Sequence, residues 1–145
     1  MTKPRKSSAV AIKIERTQLL QLVQFRRGLR KVLADSEEIC VEAGLTSQRF
    51  QALLSIASVS EPMSVGDLAA DLMLKHHSCV ELADRLAQAG LIARVADAQD
   101  KRRVLLSLTA KGAQALNHLA AEHLAQMDEA RDSIMRGLGL ESTPK

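Results

Sequence analysis

Two short stretches hold the residues most able to do chemistry. Lys75-His76-His77-Ser78-Cys79, with Glu81 close behind, gathers two imidazoles, a hydroxyl, a thiol and charges of both signs. Asp100-Lys101-Arg102-Arg103 sets one acid before three cations, a grouping suited to phosphate or another anion. His76 and Cys79, three apart on a helix, could face one metal ion. Cys79 near a helix N-terminus is also better placed than Cys40 for a reactive thiolate, because Glu37, Glu38 and Glu42 surround Cys40. Each reading competes with a plainer one. A metal held there would compete with the binding use of neighbouring His77 and Ser78, His118 and His123 are spaced poorly for a common face, and a buried core cysteine is the commoner fate for both thiols. Catalysis finds no support, since Ser78 and its histidine neighbours point in different directions on a helix and no glycine-rich phosphate loop is present. We therefore expect no enzyme, no cofactor and no metal.

The elements that position these residues follow from pattern. The chain has 145 residues, 46% hydrophobic and 26% charged, with Phe25 and Phe50 as its aromatics. Leu, Ala, Val and Ile must fill the core, which favours packed helices. No apolar run approaches the roughly 20 residues that cross a bilayer, and two cysteines make no disulfide scaffold, so the cytoplasm is the expected compartment. The net charge is only +3, but basic residues crowd the first thirty-one positions and the Lys101–Arg103 cluster. Residues 1–12 are expected to form a mobile basic arm. Leu22, Phe25, Leu29, Val32, Leu33 and Ile39 recur at helical spacing between Ile14 and Ala43, and Gly44 ends that helix. Thr46 caps a second helix carrying Phe50, Leu53, Leu54 and Ala57, closed by Glu61-Pro62. Ser64-x-x-Asp67 opens a short third helix. A fourth, with Val80, Leu82, Ala83 and Leu86 inside, stops at Gly90. Leu91–Val95 and Val104–Leu108 read as strands of a hairpin, and Thr109 caps a long last helix.

Three blocks within this order resemble the multiple-antibiotic-resistance regulator (MarR) family. They are Asp84-Arg85-Leu86 running into Ala89-Gly90-Leu91-Ile92, then Asp100-Lys101-Arg102-Arg103-Val104, then Leu108-Thr109-Ala110-Lys111-Gly112. The resemblance implies a mainly α fold, a winged helix-turn-helix with a small β-hairpin wing and long N- and C-terminal dimerisation helices. A single domain would span 13–145, with dimerisation helices at 13–44 and 109–139 and the winged unit at 46–108. It further implies a homodimer on a pseudo-palindromic double-stranded DNA operator, acting as a transcription regulator, usually a repressor released by a small molecule or oxidant.

On that reading Lys75, His76, His77, Ser78 and Glu81 lie at the base-reading end of the recognition helix. Family members often carry small hydroxyl residues and an arginine there, whereas this chain has paired histidines and Glu81. Glu81 either accepts from a cytosine amino group or closes a Ser78-x-x-Glu81 capping box, and the cap is the preferred expectation. By resemblance Arg102 enters a narrow minor groove, Asp100 orients it through an ion pair, and Lys101 and Arg103 serve phosphates. Arg26, Arg27, Arg30 and Lys31 can pair with acids of a second copy. An effector pocket is expected from Phe25, Leu29, Phe50 and Met127. The alternative readings are a helical protein-interaction module and a metal-responsive regulator.

Overall fold

A leucine from each of five elements meets at the centre of the protein. In the computed structural model, which describes residues 11–140, Leu53, Leu68, Leu86, Leu106 and Leu119 are fully buried. Each contributes about 2 kcal/mol through removal of apolar surface from water. They come in turn from α2 (Ser47–Ser58), α3 (Val65–Asp71), α4 (His76–Gln88), β3 (Val104–Leu108) and α5 (Ala110–Gly137). The remaining elements are α1 (Arg16–Glu42), β1 (Met63–Ser64) and β2 (Ile92–Ala96). The arm expected at the N-terminus lies almost wholly outside the described residues.

The caps are local consequences of sequence. Thr46 and Thr109 accept the backbone N–H groups of Arg49 and Gly112, satisfying donors the first helical turn leaves unpaired. Ser64 and Asp67 form the reciprocal capping box of α3. Gly44 and Gly90 take positive φ where α1 and α4 end. The turn between α3 and α4 carries no glycine. Met73 there has φ 52° and is 92% exposed, a left-handed conformation that costs a side chain about 1 kcal/mol.

The expected hairpin forms, and β3 has the expected bounds. β2 starts one residue late because Leu91 is already committed. Its N–H closes the end of α4 on Leu86 O at 3.0 Å, and its carbonyl accepts from Thr109 N at 3.1 Å. Sequence reading missed β1, two residues that pair antiparallel with Leu105 and Leu106 and make the sheet order β1-β3-β2. The capping box expected between Ser78 and Glu81 does not form. The helix begins at His76 with Lys75 as its N-cap, so Ser78 is already inside the first turn.

The passage from wing to α5 is tightly fixed. Thr109 Oγ1 donates to Gly90 O at 2.6 Å and Lys111 Nζ to Ala89 O at 2.8 Å. Gly112 sits so close to the Leu91 carbonyl that a Cβ there would overlap it. A second backbone contact of this kind occurs where Gly137 of α5 meets Phe25 of α1.

Asp67 ties the other side of the wing. Its Oδ2 accepts from Ser64 Oγ at 2.6 Å and from Arg103 Nη2 at 3.4 Å. The Ser64 hydroxyl holds its carboxyl below the ordinary aspartate value against the opposing effect of burial, with the Ser64 N–H and the Arg103 charge adding lesser lowering.

Two outcomes follow. Helix propensity alone would make Gly112→Ala stabilising by about 1 kcal/mol. The overlap with Leu91 predicts the opposite sign, a loss of about 1–3 kcal/mol in urea unfolding. A carboxyl lowered by folding stabilises the fold above its unfolded pKa and loses that contribution as pH falls through its folded value. The stability gap between wild type and Asp67→Asn should therefore be largest at neutral pH and close below about pH 4. A gap independent of pH would remove this role for Asp67.

Candidate nucleic-acid interface and ligand cavity

The N-terminal half of α4 presents residues in three environments. Lys75, His76, His77 and Glu81 are exposed, Ser78 is half-buried, and Cys79 is buried with its thiol on Val65 O at 3.5 Å. His76 is thus exposed while the Cys79 thiol is held in the core, and among the described residues no group of three or more His, Cys, Asp or Glu could hold a metal ion. Burial pushes the Cys79 thiol up, and burial followed by the Glu37 charge does the same for Cys40 against a hydrogen bond from Ser36. Neither thiol is poised as a thiolate.

The wing folds around its aspartates. Gln99 N–H donates to Asp97 Oδ1 at 2.9 Å and Arg102 N–H to Asp100 Oδ1 at 3.1 Å, while Arg103 N–H closes the turn on Asp100 O. The same Asp100 oxygen receives Arg102 Nε at 3.3 Å, which is the expected ion pair. The Arg102 side chain remains 92% exposed, its guanidinium held through Nε alone. Arg103 reaches back to Asp67 and Asp97, and Arg94 of β2 pairs with Asp84 of α4.

A cleft of about 260 Å³ lies between α4 and the wing. His76, Arg94, Arg102 and Arg103 meet there, with Val80, Ala83 and Val104 as its apolar wall. Of the residues expected from sequence, the cleft brings together His76, Arg102 and Arg103. Lys75, His77, Ser78, Glu81, Asp100 and Lys101 do not line it. Arg94 escaped sequence reading. Its signal was the β2–β3 register, which sets Arg94 opposite Leu106 and beside the Asp84 turn of α4.

A larger cavity of about 380 Å³ opens between α1, α2 and α5. Phe50 and Met127 line it as expected, but Phe25 and Leu29 do not. Phe25 is instead half-buried where α1 passes Gly137, and Leu29 is turned aside at 39% exposure. His123, weighed above only as a metal ligand, sits in this cavity. Its Nδ1 lies 2.7 Å from Leu119 O, a carbonyl that can only accept, so Nδ1 carries the proton. Nε2, 2.8 Å from Ser36 Oγ, accepts from that hydroxyl in the neutral ring. The ring stacks on Phe50 with centroids 4.1 Å apart. His118 pairs with Glu122 on the outer side, so the two histidines diverge. Lys31 and Asp35 form an ion pair within α1 at 2.7 Å, which gives Lys31 an acid in its own chain.

Comparison with known proteins fits this geometry. Residues 43–103 match the family model described as MarR family. The HTH-type transcriptional regulator FarR of Neisseria gonorrhoeae is 29% identical over 120 residues, covering 83% of this chain and 77% of FarR. Two solved structures share the fold. AbsC, a MarR family transcriptional regulator from Streptomyces coelicolor, superposes with a TM-score of 0.71 at 20% identity, covering 91% of this chain and 86% of AbsC. NadR in complex with 4-hydroxyphenylacetate gives 0.67 at 25% identity, covering 95% and 91%. Among the described residues no helix is long and apolar enough to cross a membrane. Residues 43–103, which hold most of the winged helix-turn-helix, thus match the MarR family, and the chain as a whole is similar in fold to solved members of that family.

Proposed function

We propose that two copies of this chain bind a pseudo-palindromic duplex and repress transcription until a small molecule occupies the α1–α2–α5 cavity. The observation that carries the DNA-binding part is the wing tip. Arg102 is anchored by Asp100 yet almost fully exposed, beside a cleft that also holds His76, Arg94 and Arg103. A guanidinium held in that way suits a narrow minor groove, where the negative potential is deepest. Lys75, His76, His77, Ser78 and Glu81 then occupy the major groove from the start of α4, with Lys101 and Arg103 on phosphates. Released from the capping role expected of it, exposed Glu81 is available to a cytosine amino group.

The release signal we favour is a small molecule rather than an oxidant, because both thiols are buried and shifted toward the unreactive form. NadR, similar in fold, was solved with an aromatic acid bound. The cavity here offers an apolar floor of Val32, Phe50, Leu54 and Met127 with Ser36 and His123 as hydrogen-bonding groups. The apolar faces of α1 and α5 left uncovered in one copy, including Leu22, Leu33, Leu124 and Leu138, support the homodimer.

Selection from a randomised duplex library should recover a two-fold-symmetric motif with half-sites about one helical turn apart. On the selected duplex, Arg102→Ala should weaken binding by about 1–3 kcal/mol, and the salt dependence should become shallower. Recovery of no motif would favour a helical interaction protein instead. Unchanged affinity for Arg102→Ala would remove the wing from the mechanism.

A further inference from the structure

The first helix is divided by charge. From Arg16 to Lys31 it carries Arg16, Arg26, Arg27, Arg30 and Lys31 and no acid, and from Asp35 to Glu42 it carries Asp35, Glu37, Glu38 and Glu42 and no base. This order runs against the helix dipole, which favours acids in the first turn and bases in the last, and α1 has neither. Lys31 and Asp35 pair across the boundary. Among the described residues, Arg26, Arg27, Arg30, Glu37, Glu38 and Glu42 make no ion pair within the chain, and all are exposed. Large apolar side chains are exposed along the same helix, from Leu20, Leu22 and Val23 through Leu33 to Val41.

A helix that is basic at one end and acidic at the other, with an uncovered apolar stripe, is complementary to itself reversed. We propose that α1 is the ionic recognition element of the homodimer and lies antiparallel to α1 of a second copy. A two-fold axis near Leu33 and Ala34 sets Arg30 opposite Glu37 and brings Arg26 and Arg27 over the turn from Glu38 to Glu42. An isologous contact uses every such pair twice. Charges so arranged fix direction and partner choice, and the apolar stripe supplies most of the affinity. The inference rests on the homodimer proposed above and adds which surfaces meet and in which direction.

Charge exchange tests it on the full chain. One variant carries Arg26→Glu, Arg27→Glu and Arg30→Glu, and the other carries Glu37→Lys, Glu38→Lys and Glu42→Lys. The second set improves the match of α1 to its own dipole, and circular dichroism would confirm that both variants fold. Sedimentation at low salt should show each variant self-associating at least about tenfold more weakly than wild type. An equimolar mixture should recover the association as a heterodimer, and wild-type association should weaken as salt is added. Wild-type association of either variant alone, or a mixture no tighter than its parts, would overturn the proposal while leaving a homodimer built on α5. So would a basic-half variant that loses only DNA affinity, since those arginines would then serve phosphates. A wild-type chain that stays monomeric at every concentration would take down the homodimer itself, and this inference with it.

Discussion

The winged helix-turn-helix depends on one backbone contact, the approach of α5 to the carbonyl of Leu91. That residue ends α4 and begins the wing, and its N–H and C=O are spent on Leu86 and Thr109. Thr109 and Lys111 then satisfy the carbonyls of Gly90 and Ala89, and Gly112 lets the helix come near enough for all of these bonds to form together. The C-terminal end of α4, the hairpin and the long return helix are thereby fixed at one junction. A displacement of α5 must be felt by the wing and by α4, because no soft segment separates them. Interiors packed at this density pass on shifts rather than absorb them. A displacement arising between α1, α2 and α5 has a short mechanical route to the C-terminal end of α4 and the wing.

Much of this was legible in the sequence because it is local. The caps at Thr46, Ser64 and Thr109 and the glycine stops at Gly44 and Gly90 need only neighbours a few residues away. The hairpin register follows from alternation in Val104–Leu108 and the turn chemistry of Asp97 and Asp100. What escaped reading depends on contacts distant in sequence. β1 is two residues with no period of its own, paired only because β3 lies beside it. Arg94 matters because the hairpin carries it back to Asp84, and His123 because α5 lays it on Phe50 opposite Ser36. Phe25 was misplaced for the same reason. Its period on α1 puts it inside, but it packs where Gly137 of α5 comes close and does not line the cavity. The Ser78–Glu81 box failed more simply. The pattern was present, but α4 had already begun two residues earlier at His76.

The left-handed Met73 shows the limit of turn signals. A glycine would normally mark the bend between two helices of this motif. Here Leu74 N–H reaches Ala69 O at 2.8 Å and Met73 N–H reaches Ala70 O at 3.2 Å. Two hydrogen bonds hold a conformation the side chain disfavours, and they outweigh its cost of about 1 kcal/mol. The strain is tolerated at a position where the side chain faces solvent and has nothing to clash with.

The aspartates of the winged region have a consequence for how such a protein finds its site. Arg94, Arg102 and Arg103 each face a carboxylate, from Asp84, Asp100, and Asp67 with Asp97. Away from DNA the field of this face is largely cancelled. Non-specific attraction to duplex DNA grows with uncompensated cations, and a genome presents a vast excess of wrong sequences. A face whose cations are already partnered spends less time on those decoys. In the complex proposed above, full engagement comes where a groove of the right shape draws the guanidinium of Arg102 away from Asp100 Oδ1. On the proposed DNA-binding reading, the ion pairs act as a threshold on dwell time and favour a search by brief visits rather than long residence.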